Sequence, residues 1–172
     1  MKIFGLAGWS GSGKTTLMTR LIPAVVARGF SVSTVKHAHR GFDIDQRGKD
    51  SYEHREAGAK EVMIASAKRW ALMHELRTDH EPTIHELIAN MAPVDLLLVE
   101  GFKQADYDKI EVHRVANGKP LLLPKDPRIV ALASDQHLDA GHLPRFDLND
   151  AEAIAGFIVA HCGLVPAPQG VA

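Results

Sequence analysis

Apolar residues along the chain fall into short continuous runs separated by glycine-rich or charged connections, and one early stretch has helical spacing. Residues 2–7 (Lys-Ile-Phe-Gly-Leu-Ala) read as a buried strand closed by Gly8. In residues 14–28, Leu17, Leu21, Ile22, Val25 and Val26 share one helical face, with Pro23 expected to kink the helix and Gly29 to stop it. Residues 31–36 (Ser-Val-Ser-Thr-Val-Lys) form a β-branched strand, so the chain opens as a right-handed βαβ unit. A polar loop over 37–50 leads to a short helix at 51–58, with Ser51 as its N-cap. Runs at 61–66 and 70–76 flank Ala67-Lys68-Arg69 and predict a hairpin, followed by a helix at 83–91. Residues 94–100 (Val-Asp-Leu-Leu-Leu-Val-Glu) hold four consecutive apolar residues, as expected of a parallel strand covered on both faces. Further strands are predicted at 109–115, where Ile110 and Val112 alternate with polar neighbours, and at 128–133. A helix at 150–161 and a frayed tail from 163 complete the pattern. The fold class is α/β, a mostly parallel three-layer sandwich with an inserted hairpin, in one domain over 1–162.

Composition adds exclusions. A formal net charge of -1 gives no global field toward nucleic acid or an anionic membrane. The single cysteine, Cys162, cannot form an internal disulfide or a cysteine-rich metal cage, so a reducing compartment is expected. No apolar run approaches the roughly 20 residues of a transmembrane helix, and the opening run is too short for a signal sequence. The expected location is cytoplasmic.

Gly8-Trp9-Ser10-Gly11-Ser12-Gly13-Lys14-Thr15 completes the pattern G-x-x-x-x-G-K-[ST] between a strand and a helix, the context that makes it a phosphate-binding P-loop. Glycines let backbone N–H groups converge on phosphate oxygens, and the helix start adds donors and positive charge. Lys14 is placed for the β- and γ-phosphates, Thr15 for Mg²⁺ and Thr16 for the α-phosphate region, with Ser10, Gly11, Ser12 and Gly13 lining the loop. Where ParA-like P-loops carry a lysine after the first glycine, this chain has Trp9, a residue to cover the nucleotide, pack in a dimer seam or shield the loop.

A magnesium-binding acid is required as well. Asp95 and Glu100 lie on one strand about 16 Å apart and cannot serve the same ion. Ligands bind at the carboxyl ends of parallel strands, which selects Glu100, followed by the flexible Gly101. The loop over 37–50 leaves the same edge. Asp43 and Asp45 are candidates for metal-water contact, Asp45 in particular for orienting an attacking water, and Lys36, Gly48 and Lys49 for phosphate contact. His37 and His39 supply two ligands only, short of a structural zinc set.

Gly-Trp-Ser-Gly-Ser-Gly-Lys-Thr-Thr, Lys36-His37, Phe42-Asp43-Ile44-Asp45, Gly48-Lys49-Asp50-Ser51-Tyr52, Arg55, Ala57-Gly58-Ala59, Arg69-Trp70-Ala71-Leu72-Met73 and Leu98-Val99-Glu100-Gly101-Phe102-Lys103 together resemble the MobB family. These are the B proteins of molybdopterin-guanine dinucleotide biosynthesis, and the likeness spans residues 3–160. It implies GTP and Mg²⁺ as ligands, weak GTP hydrolysis, and an adaptor role beside a guanylyltransferase that attaches GMP to molybdopterin. Molybdopterin itself is a further partner candidate. Gly101, Phe102 and Lys103 join the nucleotide-binding set. The resemblance also implies a homodimer, for which the hairpin at about 60–76 is the candidate element.

Guanine recognition is poorly marked. No Asn-Lys-x-Asp is present, Pro124-Lys125-Asp126 lacks the Asn, and Ala133-Ser134-Asp135 is either a guanine-reading turn or an ordinary one. A small-molecule kinase is the alternative function, although no arginine-rich helical lid is evident. Arg47 and Arg69 are the nearest guesses for an arginine finger.

Overall fold

A computed structural model describes residues 1–38, 41–102 and 105–166. The chain divides into two compact units, Met1–His37 with the chain from Ala92 onward, and Ala38–Met91. The predicted hairpin falls in the second unit.

The first unit is a six-stranded sheet of β1 (Lys2–Ala7), β2 (Val32–Lys36), β5 (Leu96–Glu100), β6 (Lys109–His113), β7 (Ile129–Ser134) and β8 (Arg145–Asp147). Its order is β2-β5-β1-β6-β7-β8, and every pairing is parallel. Two helices, α1 (Lys14–Val26) and α4 (Ala151–His161), cover one face. Phe4 and Leu6, Leu98, Ile110 and Val112, and Ala131 and Ala133 point into this layer. They meet Leu17, Leu21 and Val25 of α1 and Ile154 and Ile158 of α4, all buried. Each large apolar side chain buried here contributes about 1.5–3 kcal/mol relative to exposure. Arg28, just past α1, ties the helices together by donating to the Glu152 carboxylate at 2.7 Å and to its carbonyl at 2.9 Å. Pro23 lies inside a continuous α1.

The opposite face of β6 is buried as well. Its polar residues alternate with apolar ones as predicted, yet Lys109, Glu111 and His113 are as buried as Ile110 and Val112. The cause is the connection from β6 to β7, which is irregular apart from a short 3-10 turn at Val115–Asn117. An irregular segment laid on a sheet leaves backbone N–H groups needing acceptors. Glu111, fully buried, supplies them: its carboxyl oxygens accept from Leu122 N–H at 2.8 and 3.0 Å and from Leu123 N–H at 2.8 Å. Lys109 pairs with Asp126 at 3.1 Å. Burial pushes the Tyr107 hydroxyl up to about 12.

Strand β8 was not expected. It is three residues long, and Phe146 at its centre packs on Phe157 of α4 with ring centroids 5.2 Å apart. At the chain's end, Leu164 N–H donates to the Val159 carbonyl and its side chain packs against the core, so order extends past 163, where the tail was expected to begin.

The second unit contains α2 (Asp50–Glu56), the antiparallel hairpin of β3 (Glu61–Ala65) and β4 (Trp70–His74), and α3 (Ile84–Ile88). Lys49, not Ser51, is the N-cap of α2, because the Ser51 hydroxyl donates to Asp45 instead. Thr83 and Glu86 form a reciprocal capping box on α3. Among the described residues, no helix is long and apolar enough to cross a membrane.

Candidate functional site

Strand β1 delivers the chain to the carboxyl edge of the sheet, and the P-loop turns there into α1. Gly8 has φ 146°, and a Cβ on it would fall 2.3 Å from the Val112 carbonyl oxygen and 2.8 Å from Ser12 Oγ. The first glycine of the motif is therefore required by both conformation and contact. Gly13, in the left-handed region, is the N-cap of α1 and supplies no side-chain cap; the first turn holds no acid. In contrast, α4 is capped by the Asp150 carboxylate, which accepts from Ala153 N–H. The positive end of α1 is thus left with open backbone donors and Lys14, an arrangement complementary to an anion.

Lys14 Nζ donates to the carbonyls of Gly8 and Trp9, both at 2.9 Å, which folds its ammonium over the loop. The Ser12 hydroxyl is buried and has no hydrogen-bond partner among the described residues. Ser10, Gly11, Thr15 and Thr16 are exposed around the same turn. Orphaned donors around a lysine-lined cradle fit a polyphosphate.

Glu100 ends β5, in register with Leu6 of β1 and Lys36 of β2. The register sets its carboxyl beside the strand that feeds the P-loop, on the side toward β2. The next residues are tightly fixed. Gly101 has φ 99°, and its missing Cβ would lie 2.6 Å from the Cβ of His37. Phe102 also has positive φ, 45°, a strained conformation for a non-glycine residue. Its ring stacks on His37 at 4.5 Å, and Tyr107 Oη donates to the Gly101 carbonyl at 3.2 Å. His37 is therefore a stacking partner of the Glu100 turn. Lys103 and His39 lie outside the described residues. Thr15 and Glu100 supply a hydroxyl and a carboxyl oxygen, the hard donors that Mg²⁺ takes.

Asp45 and Gly48 belong to the second unit. Asp45 Oδ1 accepts from Gln46 N–H and Ser51 Oγ–H, both at 2.9 Å, and its Oδ2 lies 3.5 Å from Arg55 Nε. Arg55 also binds Asp43 at 2.9 Å and Glu75 at 3.0 Å. Hydrogen bonds from the Asp45 N–H and from Arg55 hold the Asp43 carboxyl below its usual range. Gly48 has φ 84° in the turn before α2. Among the described residues no cluster of three or more His, Cys, Asp or Glu is set to hold a metal. Burial pushes the Cys162 thiol up to about 11, away from the thiolate form.

The segment after β6 lies against the P-loop. Trp9 Nε1 donates to the Pro120 carbonyl at 2.8 Å, and Lys119 Nζ stands 6.0 Å from the centre of its ring. Trp9 thus packs on its own chain. Asn117 Nδ2 donates to the Ser10 carbonyl at 3.2 Å. The arginine beside the P-loop is Arg114, whose Nη2 lies 3.5 Å from the position of a Cβ on Gly13. No local motif marks these residues; the pairing of β6 with β1 brings them here.

Residues 3–135 match the family described as molybdopterin guanine dinucleotide synthesis protein B. The chain is 43% identical over 160 residues to the molybdopterin-guanine dinucleotide biosynthesis adapter protein of Escherichia coli (strain K12), covering 91% of each. It is 40% identical to the protein of that name from Haemophilus influenzae, covering 91% of this chain and 86% of the relative. A crystal structure of molybdopterin-guanine biosynthesis protein B superposes with a TM-score of 0.74 at 29% identity, covering 92% of this chain and 99% of the other. The MobB structure from Bacillus subtilis, at 22% identity and a TM-score of 0.73, shares the fold. With its P-loop in a parallel α/β sheet and these likenesses over nearly its whole length, the chain belongs to the MobB family.

Proposed function

We propose that this protein is a GTP-binding adaptor with slow intrinsic GTP hydrolysis, acting in the formation of molybdopterin guanine dinucleotide beside the guanylyltransferase that attaches GMP. The observation that carries the nucleotide part is the uncapped start of α1, with Lys14 folded over the loop carbonyls and the Ser12 hydroxyl left without a partner among the described residues. Ser12, Gly13 and the first N–H groups of α1 clamp the phosphates, and Lys14 leaves the loop carbonyls for the β- and γ-oxygens. Thr15 and Glu100 would hold Mg²⁺, which when bound neutralises phosphate charge. Asp45 is the residue assigned to orient the attacking water. Calorimetric titration in Mg²⁺ tests the reading: GTP is expected to bind at least about tenfold more tightly than ATP, a difference of about 1.4 kcal/mol. A preference for ATP with phosphate transfer to an acceptor would make the protein a kinase.

The adaptor is proposed to act as a homodimer through the hairpin. Met63 pairs with Leu72 and Ala65 with Trp70, which puts these four on one face of the ribbon. Met63 is 62% exposed and Trp70 65%. A two-stranded sheet is marginal by itself, and an apolar face of this kind calls for a cover. Met63→Glu combined with Leu72→Lys places opposite charges across the ribbon, which preserves the hairpin while making its face polar. Sedimentation velocity is expected to show a dimer for the wild type and a monomer for the double variant, with unchanged circular dichroism. A variant that stays dimeric removes the hairpin from the interface.

A further inference from the structure

With the strand order β5-β1-β6-β7, Glu100 stands on one side of the P-loop strand and the ends of β6 and β7 on the other. A nucleotide lying along the carboxyl edge with its metal-bound phosphates toward Glu100 would extend its nucleoside to the other side, over β6 and β7. Three polar side chains meet there. Arg114 Nη1 lies 3.6 Å from Asp135 Oδ2, and Asp135 Oδ1 accepts from Val115 N–H at 3.0 Å. The Asn117 carboxamide lies 3.4–3.6 Å from the position of a Cβ on Gly11.

Two features of this cluster point to a ligand. Arg114 adds a second cation beside Lys14 at the positive end of a helix whose first turn holds no acid. That arrangement favours an anion. Asp135 meanwhile faces Arg114 at a distance longer than a hydrogen bond, and its side chain is 21% exposed. One oxygen is committed to Val115, and a carboxylate has about four acceptor positions. Capacity for further donors therefore remains.

We propose that Asp135 is the base-specificity residue of the nucleotide site, accepting from the N1–H and exocyclic N2–H of guanine, while Arg114 turns from Asp135 to the phosphates. The proposal rests on the nucleotide-binding reading above. Guanine presents two adjacent donors to a carboxylate, whereas adenine presents the N1 acceptor and a bare C2–H on the same edge. The carboxylate thus discriminates by what it would leave unpaired. Asn117, held to the Ser10 carbonyl, is the adjacent polar group on the ribose side.

Asp135→Asn is nearly isosteric and keeps an oxygen for Val115 N–H, so the two loops stay joined. Wild type and variant would be titrated with GTP, XTP and inorganic tripolyphosphate, all in Mg²⁺. The variant is expected to lose GTP affinity by about tenfold or more, the scale of a hydrogen bond to a charged group. It should bind XTP more tightly than GTP, because the amide N–H₂ meets the xanthine O2, and tripolyphosphate should bind the variant at least as tightly as the wild type, because Arg114 is no longer held by a carboxylate. Unchanged GTP affinity in the variant overturns the proposal. So does equal loss of all three ligands, which would give Asp135 a purely structural role. A wild type that binds tripolyphosphate but does not distinguish GTP from XTP overturns base reading and leaves the P-loop assignment standing. A wild type that binds none of the three overturns both.

Discussion

Lys14→Ala is expected to weaken Mg²⁺–GTP binding by about a hundredfold or more while leaving the thermal midpoint within a degree or two of the wild type. Without nucleotide, the Lys14 ammonium makes two hydrogen bonds of 2.9 Å to carbonyls of its own loop. It does so at the positive end of α1, where a cation is disfavoured, so its loss costs the free protein little. With nucleotide bound, the same group meets two anionic oxygens. Charge-assisted hydrogen bonds contribute about 1.5–3 kcal/mol each, and every 1.4 kcal/mol is about a factor of ten in affinity. Calorimetry checks the affinity and differential scanning the stability. Wild-type affinity in the variant would place the phosphates somewhere other than the P-loop. A large drop in midpoint would mean that the lysine serves the fold.

The second large effect concerns a residue that touches no ligand. Glu111→Ala is expected to destabilise the protein by about 3–5 kcal/mol, since it strands buried N–H groups and opens a void. At about 2–4 °C per kcal/mol for a chain of this size, the midpoint should fall by about 10 °C. Glu111→Gln, which retains one acceptor oxygen for Leu122 and Leu123, should lose less than half as much. Chemical denaturation of the three proteins measures the difference. Equal stability of wild type and alanine variant would show that the 114–128 segment holds its place without this carboxyl group. The segment also carries Pro120 and Asn117, which bond Trp9 and Ser10. Loosening it therefore also removes support from the outer side of the P-loop.

Much of this architecture was legible in the residues. The P-loop announces itself because its spacing is local, and the apolar run before Glu100 required a strand covered on both faces. Nothing local, however, distinguishes Glu111 from a solvent-facing strand residue; its burial follows from an irregular segment crossing the sheet where a helix is the usual cover. The same holds for Arg114 and Asn117, which reach the P-loop only through the pairing of β6 with β1. Asp45 reads as a free carboxylate in sequence and is instead enclosed by Ser51 and Arg55, six and ten residues on. The positive-φ turn at Gly101 and Phe102, strained at Phe102, follows the residue selected as the magnesium-side acid, a place where backbone strain is often stored.

The chain contains two tryptophans, and they fall in different units. Trp9 has its indole N–H bonded to the Pro120 carbonyl beside the phosphate loop, and Trp70 lies exposed on the hairpin. Nature has in effect placed one optical probe on the ligand loop and another on the proposed contact face. Trp70→Phe leaves emission that reports the P-loop alone, and Trp9→Phe leaves emission that reports the hairpin alone. Nucleotide capture and self-association become separately visible in an unlabelled protein, so the order in which they occur can be read from two single-tryptophan kinetic traces.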